Sequence, residues 1–517
     1  MSTERRSGAQ AEPVLPRTPK AGVGLHLTSL PGPSGIGDVG DAALAFVDTL
    51  AAMRLSTWQF LPTGPTAYGD SPYQPLSAFA ANELLVGLEP LVRMGLLEAT
   101  ELEPLAELPR DAVDYGRVIP AKRALLERAV ARFPARAASG LKADYEDFLH
   151  ANDTGWLADY ALFRILKRLH GERPWPEWKR RYAHRHRGAL RRVGARHQAA
   201  INQVKLIQFL FHQQWLALRR HAARRGVQLF GDLPIYIALD SADAWADREL
   251  LRIDRRGRPS RVAGVPPDYF SADGQLWGNP LYDWDRQAAD GYRWWTRRVG
   301  HALAMCERVR IDHFRGFEAY WSVPFGAETA RQGAWEPGPG DALFEAMEAA
   351  LGRLGIVAED LGVITAEVDA LRRRHGIPGM RVLQFDIDEP DFDPAQIEPD
   401  TVCYTGTHDN DTTRGWYWGH PGDPRSGREI RATRANALRL TGGAPATIHR
   451  DLIRLAFATP ARLAIAPMQD FLGLGPEARF NVPGSTHGNW RWRLRAGQLT
   501  PAFIESVAGE VESASRS

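Results

Sequence analysis

The sequence predicts an α/β protein built on a (β/α)8 TIM barrel, with a large, mainly helical insertion between strands 2 and 3 and smaller insertions elsewhere. Three observations lead there. Eight short apolar runs recur along the 517 residues, at 22–29, 57–61, 227–237, 308–314, 356–360, 380–385, 401–408 and 462–469. Most are followed by segments with apolar residues at three- and four-residue steps, as at 42–53, 292–305, 342–354 and 365–374. The runs also end repeatedly in a carboxylate or a histidine: Asp232, Asp312, Glu359 with Asp360, His408 with Asp409, and Asp470. Short apolar runs bounded by turn residues are strands buried on both faces. Polar groups gathered at the carboxyl ends of parallel strands mark the active face of a barrel.

Taken in order, residues 1–20 are polar and rich in Arg, Pro and Ser, and are expected to form a flexible arm. Residues 21–61 and 226–497 make the barrel. The stretch between, 62–225, is far too long for one crossover. It holds helical spacing at 121–132, 144–149, 156–169 and 201–225, so it is expected to be a helical insertion on top of the barrel. A smaller insertion is expected between strands 7 and 8. Residues 498–517 form a tail with room for one short helix.

Bulk composition excludes several classes. Apolar residues at 44% and charged residues at 24% are those of a globular protein. A net charge of +2 implies no strong field for a polyanion. Cys306 and Cys403 sit in apolar surroundings and are expected as buried free thiols. No apolar h-region opens the chain and no apolar run is long enough to span a bilayer, so the expected location is cytoplasmic. Residues 179–197 are strongly basic. A solvated helical face is the favoured reading over a nucleic-acid patch.

The chemistry starts from alternation along a strand. In Val309-Arg310-Ile311-Asp312, Arg310 and Asp312 share one face. If that face points into the barrel, the guanidinium is expected to hold Asp312 ionised, as a nucleophile needs; the bland alternative is a buried ion pair that ties the barrel together. Glu359 follows the buried run Ile356-Val357-Ala358, and partial desolvation raises a carboxyl towards the range of a proton donor. For Asp360 the bland reading is a helix N-cap. Asp409 is a third candidate. A metal held by Asp232 and Asp470 is a weaker alternative.

Several stretches together carry a resemblance. They include Thr28-Ser29-Leu30-Pro31-Gly32-Pro33, Tyr68-Gly69-Asp70-Ser71-Pro72-Tyr73-Gln74, Gly231-Asp232-Leu233-Pro234-Ile235 and Trp277-Gly278-Asn279-Pro280. To these add Arg310-Ile311-Asp312-His313-Phe314-Arg315-Gly316, Ala358-Glu359-Asp360-Leu361-Gly362, Tyr404-Thr405-Gly406-Thr407-His408-Asp409-Asn410 and Gly488-Asn489-Trp490. The ordered set resembles the 4-α-glucanotransferases of glycoside hydrolase family 77 (amylomaltases, disproportionating enzymes), in the α-amylase-like superfamily of retaining enzymes.

The resemblance implies Asp312 as nucleophile, Glu359 as acid/base and Asp409 as transition-state stabiliser. It implies substrate contacts from Tyr73, Asp232, Asp268, Trp277, Asn279, Arg310, His408 and Asn481, and a covering loop at 262–280. Tyr269 and Phe270 join Tyr73 and Trp277 as expected sugar platforms. The implied partners are malto-oligosaccharides, amylose or glycogen-derived α-1,4-glucans, with no cofactor, metal, nucleic acid or membrane. Departures from the family pattern are His26-Leu27 for a usual His-Pro, Pro75 for a common serine, Glu83 for a proline, Glu336 for a lysine and Phe480 for a methionine. An α-amylase-type hydrolase or an inactive glucan-binding protein are the rival readings.

Overall fold

The computed structural model describes residues 14–267, 273–485 and 487–517. Among them twelve strands run in chain order: β1 (Lys20–Gly24), β2 (Thr57–Gln59), β3 (Gln228–Pro234), β4 (Arg261–Val265), β5 (Gln275–Pro280), β6 (Arg308–Asp312), β7 (Ala319–Pro324), β8 (Ala334–Pro337), β9 (Ile356–Ala358), β10 (Gly379–Val382), β11 (Thr401–Tyr404) and β12 (Leu463–Pro467). Eight of them form one sheet in the order β10-β11-β12-β1-β2-β3-β6-β9. Every pairing in it is parallel. These are the eight expected runs. Their polar C-terminal residues, in the last rungs of the ladder or just beyond it, build the rim.

The end strands β9 and β10 close on each other without a ladder. Pro378 has no N–H to give, but its carbonyl accepts Ala358 N at 2.8 Å. Asp360 completes the seam by accepting Met380 N at 2.8 Å and pairing with Arg372 at 3.2 Å. The expected N-cap role for Asp360 is therefore corrected: the helix that follows, Ala366–Arg374, is preceded by Thr365 as N-cap.

Alternate residues of non-neighbouring strands meet in one small core. Phe230, Val357, Met380, Val402, Tyr404 and Leu463 belong to it, and only the barrel interior brings such residues together. Val14 and Leu15 join that core, and Val14 O accepts Arg308 Nε at 2.5 Å. The expected flexible arm is thus corrected for its last residues, which plug the N-terminal end of the barrel. Residues 1–13 lie outside the described residues.

The tail is also docked. The helix Pro501–Ser513 is capped by Thr500 Oγ1 and buries Val507 and Val511. Buried Arg516 donates to Phe457 O at 2.5 Å and Thr459 O at 2.6 Å.

Between β2 and β3 the chain is mainly helical, with long helices at Tyr115–Arg136, Ser139–Asn152, Ala158–Leu169 and Gln198–Arg224. One part builds a core of its own around Phe163, Trp175, Trp178 and Trp245. The last helix does two jobs. Its first turns bury Ile201 and Val204 in that separate core. Its second half buries Phe209, Trp215 and Leu218 in the main core, and Trp215 Nε1 donates to Met305 O at 2.8 Å. It is at once the end of the insertion and the crossover helix into β3.

A second sheet, β5-β4-β7-β8, is antiparallel and sits beside the barrel. The sequence reading treated 262–280 as a loop. It instead holds the antiparallel pair β4 and β5; residues 268–272 lie outside the described residues. The expected insertion between β11 and β12 is present as helices at Thr413–Trp418 and Gly427–Thr441.

Candidate active site

Register places the first charges side by side. In the β3–β6 ladder Asp232 is opposite Arg310 and Pro234 opposite Asp312. Arg310 donates to Asp232 Oδ2 through Nε at 3.0 Å and Nη2 at 2.7 Å, and to Asp312 Oδ1 through Nη2 at 2.9 Å. Tyr73 Oη, from the long segment after β2, donates to the same Asp232 oxygen at 2.8 Å and accepts Arg310 Nη2 at 3.2 Å. Arg310 and Asp232 are buried. The surrounding carboxylates outweigh burial and push the Arg310 guanidinium well above its ordinary range, so it stays charged.

Immediately after Asp312 the chain does something costly. His313 takes a left-handed conformation, φ 58°, which a residue with a Cβ adopts only under constraint. The kink turns β6 into the short turn Phe314–Phe317 and points His313 N at Glu359 Oε2, 2.6 Å away. Glu359 Oε1 accepts Leu361 N at 3.0 Å. Burial raises the Glu359 carboxyl above the usual range, against Arg310 and the two amides. The His313 ring packs edge-on to Trp277 at 4.8 Å, and burial lowers it to about 3, so it is neutral.

Burial likewise pushes Asp312 up; Arg310 pulls it down, and Glu359 adds repulsion. The contact expected to hold Asp312 ionised is present, Arg310 Nη2 donating to Asp312 Oδ1 at 2.9 Å, and it opposes that burial. Two adjacent carboxyls relieve their repulsion by holding one proton between them. Asp312 carries the contact to Arg310 and is one-third exposed at its side chain, and both favour its anion over that of Glu359.

The third carboxylate sits across the rim. Asp409 Oδ1 accepts Asn481 Nδ2 at 2.6 Å and lies 3.4 Å from His408 Nε2. Arg479 fixes the backbone here, donating to Asp409 O at 2.7 Å and Asn481 O at 2.8 Å. His408 stacks on Tyr73 at 5.1 Å and 12°, with Trp490 tilted against both rings. Burial lowers the His408 pKa. Beneath the rim is a cavity of about 70 Å³ bordered by His26, Gln59, Arg310, Tyr404 and His408. His26 Nδ1 borders it without a hydrogen-bond partner among the described residues, and the second oxygen of buried Asp232 has none either.

The structure thus brings together Asp312, Glu359, Asp409, Tyr73, Asp232, Arg310, His408 and Asn481. Trp277 faces the site through His313. Asn279 is buried behind it, donating to Ile237 O at 2.9 Å and accepting Gln74 Nε2 at 3.1 Å, which latches β5 to the Tyr73 segment. Asp268, Tyr269 and Phe270 lie outside the described residues. The metal alternative fails for Asp470, which accepts Thr405 Oγ1 at 2.8 Å, Thr413 N at 2.7 Å and Thr413 Oγ1 at 2.8 Å. Sequence reasoning gave no role to His313, Arg479 or Trp490. Nothing in a sequence announces a left-handed histidine, but His313 and Trp490 lie within stretches already singled out and Arg479 stands two residues before Asn481.

Comparison with known proteins adds independent findings. The sequence profile of the 4-alpha-glucanotransferase family matches residues 25–500. The 4-alpha-glucanotransferase of Synechocystis sp. is 44% identical over 485 residues, covering 93% of this chain and 94% of the relative. That of Thermus thermophilus is 42% identical over 509 residues, covering 97% and 99%. Among solved structures, the amylomaltase from Streptococcus agalactiae in complex with acarbose superposes with a TM-score of 0.91 at 34% identity, covering 96% of this chain and 99% of that one.

Proposed function

The chain belongs to the 4-alpha-glucanotransferase family, and from that premise we propose how its rim carboxylates move a segment of an α-1,4-glucan to the 4-hydroxyl of glucose or of another α-1,4-glucan. Asp312 attacks the anomeric carbon while protonated Glu359 gives its proton to the leaving glycosidic oxygen. The bond to that oxygen breaks, and the donor segment stays esterified to Asp312. An acceptor then enters, Glu359 takes the proton from its 4-hydroxyl, and the new α-1,4 bond forms as the ester breaks. Asp409 stabilises positive charge on the ring, held for that by Asn481 and His408. Two displacements retain the configuration.

The single observation that supports this reading most is the shared charge network. Arg310 binds Asp232 and Asp312 at once, and the left-handed His313 hands its amide to Glu359. One carboxylate is thereby held ready as an anion beside another that keeps its proton. Asn279 and Trp277 hold β5 against the rim, which supports a covered acceptor side. Transfer prevails over hydrolysis where the acceptor is better placed than water. The donors and acceptors of this reading are malto-oligosaccharides, amylose and glycogen-derived glucans. The proposed place of work is the cytoplasm, where free thiols such as buried Cys306 and Cys403 persist.

Product analysis after incubation with maltotriose alone tests the proposal. Glucose together with maltopentaose and longer chains is the expected outcome. Glucose and maltose without longer products would make the protein a hydrolase.

A further inference from the structure

Between Glu177 and Asp232 the chain contains no aspartate or glutamate. Within that stretch, residues 179–197 form two short helices, Arg180–Ala183 and Arg187–Arg196, whose Arg180, Arg187, Arg191, Arg192 and Arg196 are exposed. Some exposed arginines elsewhere find carboxylates: Arg54 meets Glu512 at 2.6 Å, Arg93 meets Asp41 at 2.7 Å and Arg136 meets Glu98 at 2.6 Å. Among the described residues those five arginines form no ion pair. Arg185 alone in the stretch does, with Asp159 at 2.6 Å.

A second group of arginines adjoins them. Arg248, Arg252, Arg255, Arg258 and Arg286 line an open groove just before β4. The two groups form one surface. Arg248 lies over the Trp175 ring at 5.3 Å and donates to Ala183 O. Gly257 packs so tightly on Trp175 that an added Cβ would stand 2.4 Å from the ring. His184 feels the junction: burial, then Arg248 and Arg180, lower its pKa, with Asp254 opposing. Arg252 is paired with Glu336, but Arg248, Arg255 and Arg258 form no ion pair among the described residues. Asp254 accepts Arg256 N at 2.7 Å and Arg258 N at 2.9 Å, Asp283 lies 3.4 Å from Arg286 alone, and Glu249 is exposed with no ion-pair partner among the described residues.

We propose that this surface anchors an α-glucan outside the catalytic rim, through phosphate monoesters carried on the polymer. The inference rests on the glucanotransferase reading, because the neutral polymer held at the rim is then the one whose anionic substituents the arginines meet. Guanidinium forks match phosphate oxygens two at a time, and an unneutralised array concentrates them from solution. The groove leads directly into β4, whose sheet carries Trp277 to the rim. A single-stranded nucleic acid fits less well: Trp175 and Trp178 are buried and Tyr182 lies under Arg181, so none of these three rings is free for base stacking.

The test compares binding to phosphorylated amylopectin and to the same polymer after phosphatase treatment, by co-sedimentation at low and high salt. The proteins are the natural chain and two charge-reversed variants, Arg191→Glu with Arg192→Glu and Arg255→Glu with Arg258→Glu. The expected result is roughly tenfold tighter binding to the phosphorylated polymer at low salt, lost at high salt and lost in both variants. Disproportionation of maltotriose is expected to be unchanged in the variants, which shows them folded and reads the catalytic proposal separately. Equal binding to the two polymers overturns the inference, as does a preference that survives charge reversal. Tight binding of an oligonucleotide with no preference between the two glucans overturns it too.

Discussion

Arg310 at the barrel rim and the arginines of the helix Arg187–Arg196 carry the same guanidinium into opposite surroundings. Arg310 is buried and divides its donors among Asp232, Asp312 and Tyr73. Arg191 and Arg192 are exposed and meet no carboxylate among the described residues. In the first place low dielectric makes each contact strong, and loss of one partner strands a buried charge. In the second place water and salt screen the charge, and what remains is a field. A composition count sees both as basic residues; only position separates a residue that sets the chemistry of its neighbours from one that acts at a distance.

The sharpest way to break the comparison is to remove the chemistry and leave the scaffold. Glu359→Gln keeps the shape but has no proton to give, and its single amide oxygen can accept only one of the two backbone N–H groups, His313 N and Leu361 N. Its transfer rate with maltotriose is expected to fall by about 10²–10⁴, with Asp312→Asn lower still. The thermal midpoint is expected to stay near that of the natural protein for Asp312→Asn, because burial penalises the charge removed, and to fall modestly for Glu359→Gln, which leaves one N–H unsatisfied. A variant that keeps more than about a tenth of the rate would remove Glu359 from the acid/base role.

Next in size is the guanidinium itself. Arg310→Met leaves Asp232 buried at the side chain without its cation. The expected cost is about 3–5 kcal/mol of stability, measured as a drop in denaturant midpoint. Arg310→Lys is expected to recover part of the stability and little of the activity, since one ammonium does not reproduce a fork shared by two carboxylates. Equal activity of the two proteins would show that Arg310 is only a structural tie.

The pH profile is a milder probe. Burial raises Glu359 above its ordinary value near 4.5. A raised acid keeps its proton to higher pH, so kcat/KM is expected to hold past the pH at which an ordinary glutamate ionises, then fall as pH rises through the raised value. On the acid side kcat/KM falls when Asp312 takes a proton. A profile already declining near pH 4.5 would mean that the two amides on Glu359 outweigh its burial.

These sites were legible in unequal measure, for physical reasons. The eight barrel strands could be read because burial on both faces demands unbroken apolar runs such as Ile356–Ala358. The rim carboxylates could be read because they end those runs. The second sheet was not legible: Arg261–Val265 and Gln275–Pro280 are short, hold glycines and a proline, and resemble a loop in composition. Nor was the fate of the chain ends, since Val14, Leu15 and Arg516 are ordered by tertiary contacts that leave no periodic signal. His313 marks the limit most clearly. Its left-handed backbone is imposed by the strand ends around it and is invisible in the residue type.

The smallest expected effect completes the comparison. Arg191→Gln with Arg192→Gln removes two exposed charges that form no ion pair. Stability is expected to change by no more than about 0.5 kcal/mol, because exposed substitutions away from specific contacts rarely do more. The sign, though, is informative. If the surface holds like charges against their mutual repulsion, the variant is expected to be slightly more stable than the natural protein in low salt. That gain should vanish at high salt, where the Debye length shrinks to about 3 Å at 1 M. A loss of stability that persists at both salt concentrations would show instead that the arginine stems pack on the helix surface and contribute as apolar cover. The unpaired array would then be ordinary packing, set apart from Arg310 only by its exposure.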